Sequence, residues 1–367
     1  MIRIIHVLGG LDLGGAETMI MNLYRNIDRN VIQFDFVIHT SKHQYFYDEI
    51  VHLGGKIYSF PPFKGTNLIA LKKRWNAFFV EHPEYKILHS HVRSYASLYI
   101  PIAKKHGLTT IAHSHSISNG IGISSIVKKI LQYPLRWQAD YFFACSKKAG
   151  EWLFGKRIIK RNKLIILRNA INLSDFKYSE EKRKEMRNAF HIEDKIVFIN
   201  VGRLHKSKNH LFLINLFKKI KNKIPNAVLY VVGDGSLKKA ITKKIKHYRL
   251  EDYITLMGNR TDICDLLQMS DFFLLPSKWE GLGMVAIESQ ASGTYTICST
   301  RVPDDVCITD GIIRLPLNKR IWIDSITSAK SCKYNYIDRI RKSGYDIANT
   351  ASYLSDFYSH LVKQNEK

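Results

Sequence analysis

The chain has 367 residues, 45% of them apolar, and carries 56 Lys+Arg against 32 Asp+Glu, a formal charge of +24 at pH 7. That length exceeds what one core usually fills, so two domains are expected. Nine prolines and no low-complexity tract exclude long disorder.

No signal peptide or membrane span is expected. Residues 1–7 enter a strand-like pattern with no charged leader or cleavage site. No apolar run approaches the roughly 18–20 residues that cross a bilayer. The cysteines (Cys145, Cys264, Cys298, Cys307, Cys332) are odd in number and form no CxxC pair. Neither a disulfide framework nor a structural zinc site is expected. An intracellular chain is expected, with four of the thiols buried beside apolar stretches. Residues 1–172 carry a charge of +14 and residues 173–367 a charge of +10. Basic clusters stand at Lys156-Arg157 with Lys160, Arg161 and Lys163, and at Lys238-Lys239 with Lys243, Lys244 and Lys246. Such an excess suits nucleic acid, an anionic leaflet or phosphorylated ligands, or it is simply a solvated lysine-rich surface.

In chain order, the pattern predicts strands over 3–8, 34–39, 87–91, 109–113, 141–145 and 163–168. They are rich in Ile, Val and Phe and lack polar alternation, as strands of a parallel sheet buried on both faces do. Between the first two, Ala16, Met19, Ile20, Leu23, Tyr24 and Ile27 follow helical spacing. Residues 172–187 are polar and charged and read as a linker. The alternation then restarts, with strands over 195–201, 227–232, 253–257, 272–276 and 295–298. Helices are predicted over 209–221, 236–247, 262–269, 284–291 and 346–363. Two βαβ series imply an α/β protein of two doubly wound, Rossmann-like domains facing across a cleft.

Ligands of open α/β sheets bind beyond the carboxyl ends of the strands. Four loops there stand out. Gly9-Gly10-Leu11-Asp12-Leu13-Gly14-Gly15 is either a tight turn or a close approach to a ligand at a helix start, and it is not GxGxxG. His113 and His115 form an H-x-H pair one strand after His89 and His91. Such pairs are polar strand ends, acid–base groups or metal ligands, and no carboxylate or cysteine partner is evident. After the first strand of the second half, Gly202-Arg203 and Lys208 offer two cations to a diphosphate, unless the loop is merely basic and solvated. Last, Glu280 lies in a loop before Gly283, Met284 and Val285, whose amides would be free at a helix start, and Glu288 lies inside that helix. A carboxylate so placed can accept two hydrogen bonds from a vicinal diol.

With Gly14-Gly15-Ala16-Glu17, the Gly202-Arg203 to Lys208 loop, Val232-Gly233-Asp234-Gly235 and the Glu280 to Glu288 pair, the whole chain resembles GT-B glycosyltransferases of family 4. The segment through Asn22-Leu23-Tyr24-Arg25 and Ala112-His113-Ser114-His115 is most similar to bacterial capsular and exopolysaccharide transferases. The resemblance implies an acceptor-binding domain over 1–172, a nucleotide-sugar domain over 173–346 and a helix over 347–367 crossing back to the first domain. It implies that Arg203 and Lys208 neutralise the donor diphosphate, that Glu288 binds ribose and that Glu280 holds the sugar near its 3- and 4-hydroxyls. Gly202, Gly283, Met284 and Val285 would border the phosphates, and the loop of Gly258, Asn259 and Arg260 would meet the base. His113 would lie near the sugar's C6 hydroxyl, and Gly15 near donor phosphate or acceptor. Neither a metal nor another cofactor is expected. The implied chemistry is retaining transfer of a hexosyl or N-acetylhexosaminyl group, with a UDP-sugar as the default donor and GDP-mannose as the alternative. The implied partners are a lipid-linked saccharide acceptor and an anionic membrane surface on the cytoplasmic side, without nucleic acid, for which no RRM, zinc-finger or recognition-helix pattern is present. An inactive paralogue would lack some of Arg203, Lys208, Glu280 and Glu288, and all four are present. Two departures from the family pattern concern the segment after Gly293: Thr294-Tyr295-Thr296 lacks the proline usual after this glycine, so Tyr295 is expected to reshape the next strand, and the acidic residues usual in the next loop appear only as Asp304-Asp305 after Pro303.

Overall fold

A computed structural model describes residues 1–115, 123–161, 163–329 and 333–365. The chain divides into two compact units, one of Met1–Ile171 with Gly344–Lys367 and the other of Asn172–Ser343.

The first unit is built on seven parallel strands: β1 (Ile2–Leu8), β2 (Ile32–Ile38), β3 (Ile57–Ser59), β4 (Ile87–Ser90), β5 (Thr109–Ser114), β6 (Tyr141–Ala144) and β7 (Leu164–Ile166). Their order is β3-β2-β1-β4-β5-β6-β7. The strand period of two sends Ile4, Leu8, Phe34 and Phe36 to one face and Ile5, Val7, Val37 and Leu88 to the other, and helices bury both. Each strand therefore reads as continuously apolar. The C-terminal helix Ile347–Asn365 packs Ile347, Ala351, Leu354, Tyr358 and Leu361 into the first of these cores. Gly344–Asp346 also belongs to this unit: Ile171 bridges to Asp346, and the Arg168 guanidinium donates to the Tyr345 hydroxyl at 2.9 Å.

The second unit holds six parallel strands: β8 (Ile196–Val201), β9 (Ala227–Val232), β10 (Ile254–Gly258), β11 (Phe272–Leu275), β12 (Tyr295–Ser299) and β13 (Ile312–Leu315), in the order β10-β9-β8-β11-β12-β13. Both sheets thus reverse their winding between the first and fourth of their own strands. At that point adjacent crossovers leave in opposite directions and a crevice opens at the strand ends.

The predicted linker is corrected. Residues 172–187 are not a free connection, because Leu173–Phe176 and Glu180–Ala189 are helical. Arg183 and Arg187 from the second helix both reach Asp271, at 2.6 and 3.4 Å, and Asp271 also accepts from the Val197 amide at 2.7 Å. Two cations of the charge run, Arg183 and Arg187, are part-buried and pin this helix to β8 and β11, while Glu180, Glu181, Lys184 and Glu185 are exposed. Strands β3 and β13, at the sheet edges and mostly half-buried, were not predicted. Tyr295 opens β12, and its ring meets Phe272 edge-on at 6.0 Å between centroids. Cys145 and Cys298 are buried, Cys264 is partly buried, Cys307 is exposed, and Cys332 lies outside the described residues.

Removing one partner of a buried ion cluster strands the others. Asp271→Ala is expected to destabilise the second unit by about 3–5 kcal/mol in denaturant unfolding. A change below about 1 kcal/mol would show that the two guanidiniums are satisfied by backbone carbonyls alone.

Candidate functional site

The switch point of the second unit brings most of the predicted residues together. The loop after β8 starts at Gly202, whose φ of 151° and lack of a side chain leave room for Lys208; a Cβ there would lie 2.9 Å from the lysine Cε. Gly233 at the end of β9 presses on the same turn, since a Cβ on it would meet the Gly202 carbonyl at 2.4 Å. The loop after β11 is stitched alongside by the Lys278 amide, which donates to the Ser207 carbonyl at 2.7 Å. Lys208 Nζ then donates to Glu280 Oε1 at 2.7 Å, and the buried Ser277 hydroxyl donates to the same oxygen at 2.6 Å. Arg203 is exposed and has no ion pair among the described residues. One cation is thus held and one is free at the same strand ends.

The helix Met284–Ala291 begins at Gly283, whose φ of 90° disfavours any side chain and which supplies no side-chain cap. The first amides of the helix, on Met284 and Val285, have no intrahelical acceptor. Glu288 lies one turn further on and is only partly exposed. Burial pushes its carboxyl up to about 7, with Lys208 pulling the other way. Its carboxylate makes no hydrogen bond to any described residue. An underused acceptor beside free amides and a free guanidinium is what a phosphorylated polyol would satisfy. Asn259, exposed after the edge strand β10, stands apart from this group. Its loop joins the others indirectly, through the Gly233 amide donating to the Gly258 carbonyl at 2.7 Å. Neighbouring Arg260 is occupied by Asp262 at 2.5 Å. Ser277 was not legible as a site residue; its signal is only its place one residue past a strand end.

In the first unit, Gly15 opens the helix Gly15–Asn26, is exposed, and has nothing within 4 Å of where a Cβ would sit. Its small size answers no internal packing need. At the switch point between β1 and β4 lies a cavity of about 410 Å³ lined by Gly9, His91, Arg93, Tyr95 and Lys128 among others. His113 does not reach the surface of its unit and is 1% exposed.

Parallel register gathers five histidines on one sheet face. His6 Nδ1 lies 2.9 Å from His91 Nε2, and His91 Nδ1 lies 2.8 Å from His115 Nε2. Alongside, His113 Nδ1 lies 3.2 Å from His89 Nε2, and His89 Nδ1 lies 2.6 Å from the Tyr358 hydroxyl. The sequence reading saw two separate H-x-H pairs and missed His6. Two groups, His6/His89/His91 and His91/His113/His115, hold ring nitrogens within 4.8 Å of one another. Neither contains a carboxylate, Arg93 and Lys128 line the adjoining cavity, and the close nitrogens face each other as donor and acceptor. The arrangement is a hydrogen-bonded imidazole row. Each neutral ring has one N–H, so the three-ring row leaves a spare N–H at His6 Nε2 or at His115 Nδ1, both buried without a partner among the described residues. His113 Nε2 is likewise unpartnered.

Burial holds His6 and His115 at about 3 and pushes His89, His91 and His113 well below their ordinary value, helped by neighbouring imidazoles. Between pH 6.5 and those values the unfolded chain binds protons that the folded chain refuses. Stability is therefore full above pH 6.5 and falls as pH drops, by about 1.4 kcal/mol per imidazole per pH unit. Calorimetry should show a thermal midpoint falling steeply from pH 7 to pH 5; a level midpoint would mean that the row protonates while folded.

Comparison with known proteins follows the same division. The family model for glycosyl transferases group 1 matches residues 181–315, and that for Glycosyltransferase Family 4 matches residues 13–175. The glycosyltransferase EpsF of Bacillus subtilis is 29% identical over 369 residues, covering 97% of this chain and 96% of that protein. An Escherichia coli protein named UDP-Gal:alpha-D-GlcNAc-diphosphoundecaprenol alpha-1,3-galactosyltransferase is 24% identical, covering 81% of this chain and 79% of its own. The crystal structure of Anabaena Alr3699/HepE in complex with UDP superposes with a TM-score of 0.78 at 15% identity, over 98% of this chain and 100% of that one. With two Rossmann-like sheets and family matches in both halves, the chain belongs to the family 4 glycosyltransferases of GT-B fold and is a glycosyltransferase enzyme.

Proposed function

We propose that the chain moves a hexosyl or N-acetylhexosaminyl group from a UDP-sugar to a lipid-linked glycan during capsule or exopolysaccharide assembly, with retention at the anomeric carbon. The observation that carries this reading is the set of groups at the β8–β11 switch: free Arg203, the Lys208–Glu280 pair and the uncapped helix start at Gly283. Support for the donor comes from HepE, solved with UDP and with UDP-glucose. Support for the acceptor comes from the E. coli relative and from a Campylobacter jejuni relative, 31% identical over 176 residues, whose names specify diphospho-undecaprenol acceptors.

In this reading Arg203, Lys208 and the amides of Gly283, Met284 and Val285 take the diphosphate charge, with Gly202 allowing close approach. Glu288 accepts the ribose hydroxyls, and Asn259 borders the base. Glu280, fixed by Lys208 and Ser277, faces the sugar hydroxyls. His113, which the family likeness sets near the sugar's C6 hydroxyl, is buried and would have to be uncovered to reach it, and Gly15 leaves room for phosphate or acceptor. The bond from the anomeric carbon to the diphosphate oxygen breaks while the acceptor oxygen bonds the same face. The diphosphate leaves with the electron pair and takes the acceptor proton. Positive charge aimed at the developing diphosphate is the main source of rate in such a step, and it leaves no task for a metal ion. In this reading the lipid-linked acceptor is met at the cytoplasmic membrane surface; no helix among the described residues is long and apolar enough to cross a membrane.

Thermal-shift titration with UDP, GDP and ADP tests the reading. At a hundredfold excess over its Kd the right nucleotide stabilises the fold by about 2.7 kcal/mol. The shift should come with UDP and vanish in Glu288→Ala. Glu288→Gln should raise the midpoint of the empty chain at pH 8, where a carboxyl pushed up to about 7 is ionised in a poorly hydrated place and that cost is removed. Glu280→Gln should keep the UDP shift and lower kcat about a hundredfold or more. No shift with any nucleotide would sink the proposal.

A further inference from the structure

The first unit holds a group of nitrogen donors that the transfer chemistry does not use together. β4 and β5 pair in register with Ser90 opposite Ala112, so His91 and His113 follow side by side just past that pair. The strand period of two returns His115 to the face of His113. The ring centroids of His113 and His115 are 4.0 Å apart, and those of His91 and His115 are 5.0 Å apart. Both strand ends are fixed from the main chain. The His91 amide donates to the Val7 carbonyl at 2.9 Å, and the Cys145 amide donates to the Ser114 carbonyl at 3.0 Å.

One nitrogen from each of these three rings lies within 4.8 Å of the other two. Hydrogen bonding decides which nitrogens have a lone pair to give. With the His113 Nδ1–H donated to His89 Nε2 at 3.2 Å, His113 Nε2 keeps a lone pair that no described residue uses. With the His91 Nε2–H donated to His6 Nδ1 at 2.9 Å, His91 Nδ1 keeps one as well. That nitrogen faces His115 Nε2 at 2.8 Å. His115 can carry its own proton on Nδ1, which leaves Nε2 as the third lone pair. Burial keeps the three rings neutral, so no bound proton has to be displaced.

We propose that His91 Nδ1, His113 Nε2 and His115 Nε2 form a binding site for one zinc ion, with a water or an anion as the fourth ligand. Three neutral imidazoles without an oxygen donor suit zinc and not magnesium or calcium. His89 and His6 take the remaining N–H groups of His113 and His91, which fixes both tautomers as outer-shell partners do. Tetrahedral ligands about 2.0–2.1 Å from zinc stand about 3.3 Å apart. The His91–His115 contact therefore opens by about half an ångström, and partly exposed His115 is the ring with room to turn. The fourth position is reached from the cavity that His91 lines with Arg93 and Lys128, and those cations favour an anion there. A bound ion ties the ends of β4 and β5 together and occupies the free lone pair of His113. It has no part in the transfer step, whose charge Arg203 and Lys208 take, and the proposal does not rest on the donor reading.

Titration of the full chain, stripped with EDTA, with Co2+ tests it, because four-coordinate Co2+ absorbs visible light far more strongly than the hydrated ion. One equivalent should give that band, and Zn2+ should erase it. His115→Ala, at the partly exposed rim, should lose the band. It should also weaken Zn2+ binding by more than the roughly hundredfold that loss of an outer-shell partner costs. A control with the exposed His43→Ala and His247→Ala should bind as the unsubstituted chain does. Excess Zn2+ should raise the thermal midpoint of the unsubstituted chain and leave that of His115→Ala level, a readout independent of the spectrum. Three results would overturn the proposal: no one-equivalent band in the unsubstituted chain, an equal band in His115→Ala, or a band that the surface control loses. The UDP shift is read on metal-free samples, so the donor reading fails or stands separately.

Discussion

A parallel strand cannot be followed by its neighbour through a tight turn. The chain must cross over, and the hand of that crossover is fixed by the strand's own twist. Both sheets begin in the middle and wind first one way and then the other. Each therefore has one place, between β1 and β4 or between β8 and β11, where adjacent loops diverge. The chemistry in each unit follows from that constraint. Glycines at Gly202 and Gly283 keep the crevice of the second unit open to a ligand, and the cations and carboxylates reach into it from the loops on either side.

Within that crevice the electrostatics are divided. Lys208 is paired with Glu280 and steadied by Ser277, so its position is set before any ligand arrives, while Arg203 stays solvated. Glu288 carries the cost of the arrangement: its carboxyl sits in a poorly hydrated place without a donor. A group that is destabilising in the empty chain can gain from a ligand that supplies hydroxyls, which is the usual signature of a binding residue rather than a structural one.

The first unit uses its polar residues differently. Its five histidines are neutral, buried and bonded to one another and to Tyr358 of the C-terminal helix. They join β1, β4 and β5 to the last segment of the chain. The row ends at the same strand ends as the cavity that holds His91, so a ligand there would meet a rigid polar wall.

Much of this was legible in the residues alone. Runs of Ile, Val and Phe without alternation announce parallel strands, because burial on both faces removes the polar partner of each apolar side chain. Glycines and charges clustered after those runs mark the ligand loops, since the physics of strand ends requires them there. The predicted helix 284–291 matches its observed bounds because a left-handed Gly283 and a short apolar period leave no other start. What the sequence could not decide depends on register between distant strands. The convergence of His6 with His89, His91, His113 and His115, and the use of Arg183 and Arg187 as anchors for Asp271, arise only when parallel pairing sets separate segments side by side. In the same way Glu288 is an ordinary helical glutamate until its neighbours remove its water. Local spacing determines which residues can form a strand, a turn or a helix start; tertiary packing decides which of them meet and which lose solvent, because burial and contact are properties of the whole folded surface and not of any one stretch of chain.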